Sequence, residues 1–125
     1  MKFRLALHAE DLNAIRDFYI HVIGLSELGG FQNHGTYSGV FLGKKEENWH
    51  LEFTTSTDLP NRKLDEDDAL VFYPKTAEEF NKIKQNISVD KRINAKNDYW
   101  NRNGISTFDP ERNFIVIVNP EAKMR

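Results

Sequence analysis

The chain of 125 residues contains no cysteine, so it can build no disulfide framework, thiolate nucleophile or cysteine-type zinc site. It also lacks an excess of either charge. Its 17 basic and 19 acidic side chains leave a net charge of -2, with the signs interspersed and no like-charged block. That pattern argues against a nucleic-acid partner. No apolar run approaches the length of a membrane span. The opening stretch MKFRLALHAEDL reaches Glu10 and Asp11 before a signal-peptide core could form. The expectation is a soluble, cytoplasmic protein without nucleic-acid or membrane partners. Missing as well are a G-x-S-x-G elbow, an H-E-x-x-H helix and a dinucleotide-binding glycine fingerprint. What the chain does have is 39% hydrophobic and 12% aromatic residues, enough for one domain whose core needs neither disulfide nor metal.

Phe3 to Leu7 reads as a short strand. Asp11 then caps an amphipathic helix carrying Leu12, Ile15, Phe18, Tyr19, Val22 and Ile23, stopped at Gly24. Three strand-like pieces follow, near Ser26 to Phe31, Tyr37 to Leu42 and Trp49 to Thr54, with GKKEEN as the hairpin between the last two. After the polar, turn-rich stretch STDLPNRKLDEDD the pattern restarts. Leu70 to Tyr73 is a strand candidate, and TAEE at Thr76 to Glu79 is a capping box opening a helix with Phe80, Ile83 and Ile87 on one face. Further strands are expected near Val89 to Ile93, Gly104 to Phe108 and Asn113 to Val118, with DPERN as a turn.

Cap Thr76 stands 65 residues after cap Asp11, and Gly104 stands 65 after Gly39. The halves therefore read as two copies of one βαβββ unit. The expectation is an α+β fold in a single domain: module one at about 1–56, a linker at about 57–67 and module two at about 68–120.

The segment NWHLEFTT, residues 48–55, sets the functional question. Side chains alternate along a strand, so Trp49, Leu51 and Phe53 share one face while His50, Glu52 and Thr54 share the other. A solvated sheet face is the plain reading of that polar row. A ligand-binding wall is the sharper one.

Taken together, DLNAIRDFYIHVIGLSEL, NWHLEFTT and NDYWNRNGISTFDPERNFIVIVNP, in this order and spacing, resemble the glyoxalase I, bleomycin-resistance and extradiol-dioxygenase (vicinal oxygen chelate) superfamily. The YW before the last hairpin is similar to its YycE-type branch. The resemblance implies two βαβββ modules forming a curved mixed sheet, helices outside and a ligand cavity on the concave side. Leu5, Leu7, Leu51, Phe53, Ala69, Val71, Ile115 and Ile117 then face the helices. The opposite parity, with Arg4, Ala6, His8, His50, Glu52, Thr54, Asp68, Leu70, Phe72, Phe114, Val116 and Val118, lines the cavity. Tyr99 and Trp100 are packing residues or a cavity wall.

Metal-dependent members of this superfamily hold a divalent ion at four symmetric strand positions. Glu52 falls on one, and the resemblance places Arg4, Asp68 and Val116 on the others. A guanidinium is always protonated and valine has no donor atom, so the usual metal centre is expected to be lost. The alternative is a divalent metal at a nonstandard site of His8, His50 and Glu52. A further expectation is that the Arg4 charge replaces the ion's, its fork satisfying Glu52 and Asp68.

Three functions follow from the resemblance. The first is a homodimeric protein that binds a small amphipathic or aromatic molecule without a cofactor. The second is a metal-dependent lyase, isomerase or dioxygenase with a reduced metal site, in which Glu52 is the catalytic base. The third is a regulatory or interaction domain that keeps only the fold.

Overall fold

The computed structural model describes residues 1–122. It divides into two compact units, Met1–Arg62 and a second from Lys63 onward, each with its own open mixed sheet.

In the first unit the strands are β1 (Phe3–His8), β2 (Ser26–His34), β3 (Tyr37–Gly43) and β4 (Trp49–Thr55), ordered β1-β4-β3-β2. β1 runs parallel to β4, and the other pairs are antiparallel. A parallel pair needs a crossover, which begins with α1 (Leu12–Asp17). Asp11 caps α1 as the sequence indicates, its Oδ1 accepting from the backbone N–H groups of Asn13 and Ala14 at 3.0 and 3.1 Å. The helix continues into a wider π-helical segment, Phe18–Ile23, and ends at Gly24, whose φ of 90° is left-handed. Its buried residues Ile15, Tyr19 and Ile23 recur every four positions, longer than an α-helical turn of about 3.6. The wider turn takes up the difference. Val40 stands opposite Phe53 and Leu42 opposite Leu51 in the β3–β4 register, all four buried, and the Tyr19 ring lies 5.2 Å from that of Phe53. Each such side chain contributes roughly 2 kcal/mol on full burial.

In the second unit, β5 (Leu70–Phe72), β6 (Gly104–Phe108) and β7 (Phe114–Val118) are ordered β5-β7-β6, with β5 parallel to β7. Thr76 Oγ1 accepts from Glu79 N at 3.1 Å to cap α2 (Ala77–Asn86), and Glu79 Oε1 reaches back to Lys75 N at 2.8 Å. Phe80, Ile83 and Ile87 are buried, as their spacing indicates. The strand expected at Val89–Ile93 is not formed. Val89–Lys91 is a 3₁₀ turn, and only Ile93 bridges, to Ser106. Arg92 instead donates to the carbonyls of Ile87 and Lys84, satisfying the end of α2. The DPERN turn forms as expected: Asp109 Oδ1 accepts from the backbone of Glu111 and Asn113, both at 2.8 Å.

Candidate functional site

The polar row of β4 forms its closest set of contacts with Arg4. In the parallel β1–β4 register Arg4 pairs with His50, Ala6 with Glu52 and His8 with Thr54, so these side chains share a face. Arg4 Nε donates to His50 Nε2 at 2.8 Å, and Arg4 Nη1 donates to Glu52 Oε1 at 3.1 Å. A guanidinium can only donate, so His50 Nε2 presents a lone pair and the imidazole is neutral with its proton on Nδ1. Burial, foremost, pushes the His50 pKa below its usual 6.5; the Arg4 and Lys2 charges add to this and Glu52 opposes it.

β3 supplies the aromatic part of the face. Phe41 is opposite Glu52, and the Arg4 guanidinium carbon lies 4.6 Å from the Phe41 ring centroid. The Phe41 ring is 5.6 Å from His50 and 6.0 Å from Phe31. Phe31, opposite Gly39 on β2, packs against it: a Cβ on Gly39 would come within 2.7 Å of the Phe31 ring. A row of Phe31, Phe41 and His50, with a cation over its middle ring, therefore occupies one face of the first sheet. The sequence reading missed Phe41, Phe31 and Gly39. The signal available was the G-x-F-x-G alternation of Gly39, Phe41 and Gly43, which puts small residues on both sides of one aromatic.

Of the other candidates, His8 and Thr54 lie further along the same face. His8 Nε2 sits 3.2 Å from Ser56 Oγ, and the His8 carbonyl accepts from Arg62 Nη1 at 3.1 Å. Thr54 is half-buried. In the second unit Asp68 is exposed and precedes β5 rather than lying on it. The β5–β7 register is a correction to the expected parity. Leu70 pairs with Ile115, Val71 with Val116 and Phe72 with Ile117, so Leu70 and Phe72 share the face of the isoleucines and not that of Phe114 and Val116. The offset of 65 between the caps carries Arg4 onto Ala69 rather than Asp68. The one-residue slip reverses every side chain of β5. The second prong of Arg4, expected on Asp68, lands on His50. Tyr99 and Trp100 lie on α3 (Asp98–Asn103), their rings edge to face at 5.1 Å. Ser106, opposite Val116, is buried, and its Oγ has no hydrogen-bond partner among the described residues.

The superfamily's divalent ion does not fit this donor set. His50 Nε2 and Glu52 Oε1 each already accept from Arg4, whose fixed positive charge would oppose an incoming cation. Among the described residues no three His, Asp or Glu side chains group closely enough to hold one. Nor, among those residues, is any helix long and apolar enough to cross a membrane.

Residues 3–54 match the family model described as the YycE-like N-terminal domain. An uncharacterised protein YycE of Bacillus subtilis (strain 168) is 30% identical over 125 residues, covering 94% of this chain and 87% of its own. The crystal structure of a YycE protein of unknown function from Bacillus subtilis has a TM-score of 0.80 at 29% identity, covering 98% of this chain and 91% of that one. More distant are an antibiotic-binding protein from a Streptomyces species and glyoxalase I from Leishmania major. The first has a TM-score of 0.65 at 16% identity, over 97% of this chain and 96% of that one. The second has 0.66 at 19%, over 94% and 85%. At such identities the likeness is one of fold alone.

Proposed function

Because the chain belongs to the YycE-like family, within the glyoxalase and bleomycin-resistance superfamily, we propose that it binds a small amphipathic or aromatic molecule without a divalent metal centre. The observation that carries this reading is the Arg4 fork onto His50 and Glu52. It engages His50 Nε2 and Glu52 Oε1, two atoms that could otherwise ligate a metal, with a side-chain cation, and that cation lies beside an aromatic row that offers apolar contact. An antibiotic-binding protein among the structural neighbours supports binding as a use of this fold. In this reading the protein acts as a homodimer in the cytoplasm, and Glu52 positions Arg4 instead of serving as a catalytic base.

The test is a thermal-shift screen of tag-free, chelator-treated protein against aromatic and amphipathic small molecules, followed by isothermal titration of the hits. A ligand at a hundredfold excess over its Kd should stabilise the fold by about 2.7 kcal/mol. Saturable binding that weakens in Arg4→Ala supports the proposal. If every saturable ligand binds Arg4→Ala as tightly as wild type, or if no ligand is found, the proposal fails.

A further inference from the structure

We infer that the ligand of the Arg4 face carries an oxyanion, most simply a carboxylate, at the edge of a flat apolar body, and that Arg4 Nη2 receives it. This deepens the function proposed above and rests on that reading of the face as a binding site.

Three observations converge on it. The first is the order of exposure. The Arg4 side chain is 45% exposed, whereas that of Glu52 is 13% exposed and His50 is 5% exposed. The donor lies outermost and the acceptors lie beneath it, so an arriving molecule meets the cation first.

The second is hydrogen-bonding capacity. Of the guanidinium nitrogens, Nε is committed to His50 and Nη1 to Glu52, while Nη2 has no partner among the described residues. Its two N–H groups can only donate, so the group that completes them must accept. Because His50, Glu52 and the Phe41 ring already fix the plane of the guanidinium, an anion meets a pre-organised donor and little side-chain entropy is lost on binding. A cationic ligand, by contrast, would have to approach the Arg4 charge to reach the remaining oxygen of a Glu52 side chain that is only 13% exposed.

The third is the local field. The charges acting on His50 are two cations, Arg4 and Lys2, against one carboxylate, Glu52. Their balance favours an anion although the whole chain carries a net charge of -2. Beside the cation, Phe41 and Phe31, with ring centroids 6.0 Å apart, provide the surface for the apolar body.

The test uses benzoate and its neutral isostere benzamide, each titrated by calorimetry and by NMR of the histidine rings. The proteins are wild type and the double variant Arg4→Met with Glu52→Gln, which leaves no uncompensated carboxylate and is checked for native circular dichroism. Wild type should bind benzoate at least about tenfold more tightly than benzamide, with the His50 ring signals moving on addition. The double variant should lose that preference. Equal binding of the two probes to wild type overturns the oxyanion, and a benzoate preference that survives in the double variant overturns Arg4 as the group that receives it; either leaves the binding-site reading standing. Failure of both probes at roughly millimolar concentration also overturns it. Whether the binding-site reading falls too is then decided by the separate thermal-shift screen.

Discussion

Replacing Arg4 with alanine removes three contacts at once, and their sum can be worked from the geometry. The 2.8 Å bond to the buried His50 is the largest, because its loss strands an acceptor; it amounts to roughly 1 kcal/mol. The 3.1 Å pair with Glu52 adds about 0.5 kcal/mol once the exposure of Arg4 is allowed for. The cation over Phe41 adds about 0.5 kcal/mol. The expected destabilisation is thus about 2 kcal/mol. At an unfolding entropy of about 2.1 cal/mol/K per residue, this corresponds to a drop in Tm of roughly 8 °C for a chain of 125 residues. Differential scanning calorimetry measures it directly. Arg4→Lys keeps a charge but loses the fork, and should recover only part of the drop. Arg4→Ala should also let the His50 pKa rise, since the Arg4 charge contributes to its lowering, while burial still holds it below 6.5. A Tm for Arg4→Ala within about 1 °C of wild type, or a His50 titration by NMR that does not rise, would refute the reasoning.

Three further outcomes are expected. Because the folded-state pKa of His50 lies below the unfolded value of 6.5, the folded chain takes up fewer protons in this range, and stability should decline as pH falls from 6.5 toward the lowered value. His50→Gln should flatten that part of the Tm-against-pH curve, and an unchanged slope would count against a buried neutral imidazole. Gly39→Ala drives a methyl to within 2.7 Å of the Phe31 ring and should cost about 1–3 kcal/mol while displacing that ring from the row; urea denaturation with an unchanged midpoint would contradict the packing described. Titration of chelator-treated protein with nickel, manganese, ferrous iron or zinc should give no tight one-to-one binding. Binding that vanished in Glu52→Ala would restore the metal-dependent reading.

Much of the scaffold was legible because its signals are local. Asp11 and Thr76 cap helices through side-chain oxygens only two or three residues from the N–H groups they accept. Gly24 ends the first helical run because its φ is positive. The strand expected at Val89–Ile93 failed where local and tertiary demands competed. Arg92 is used to close α2, and the chain beside it turns instead of extending. The candidate site was legible only in part. NWHLEFTT announces a strand with a polar face, and Arg4 shares that face on β1, but nothing in either segment identifies Phe41 as their neighbour.

The sequence by itself therefore determined the element order of the first unit, both helix caps and the polarity of the β4 face, since caps, turns and alternation act over a few residues and need no partner strand. The second unit departs from the expected repeat, with a 3₁₀ turn at Val89–Lys91 and α3 where a strand and a loop were expected. Only the tertiary structure decided which side chains meet across strands. The β3–β4 register brought Phe41 opposite Glu52, and the β1–β4 register brought Arg4 beside His50. The β5–β7 register put Leu70 with Ile115, moving Leu70 and Phe72 off the face of Val116. Register depends on loop length and long-range pairing, and because side chains alternate with a period of two, a shift of one residue turns an entire strand face over.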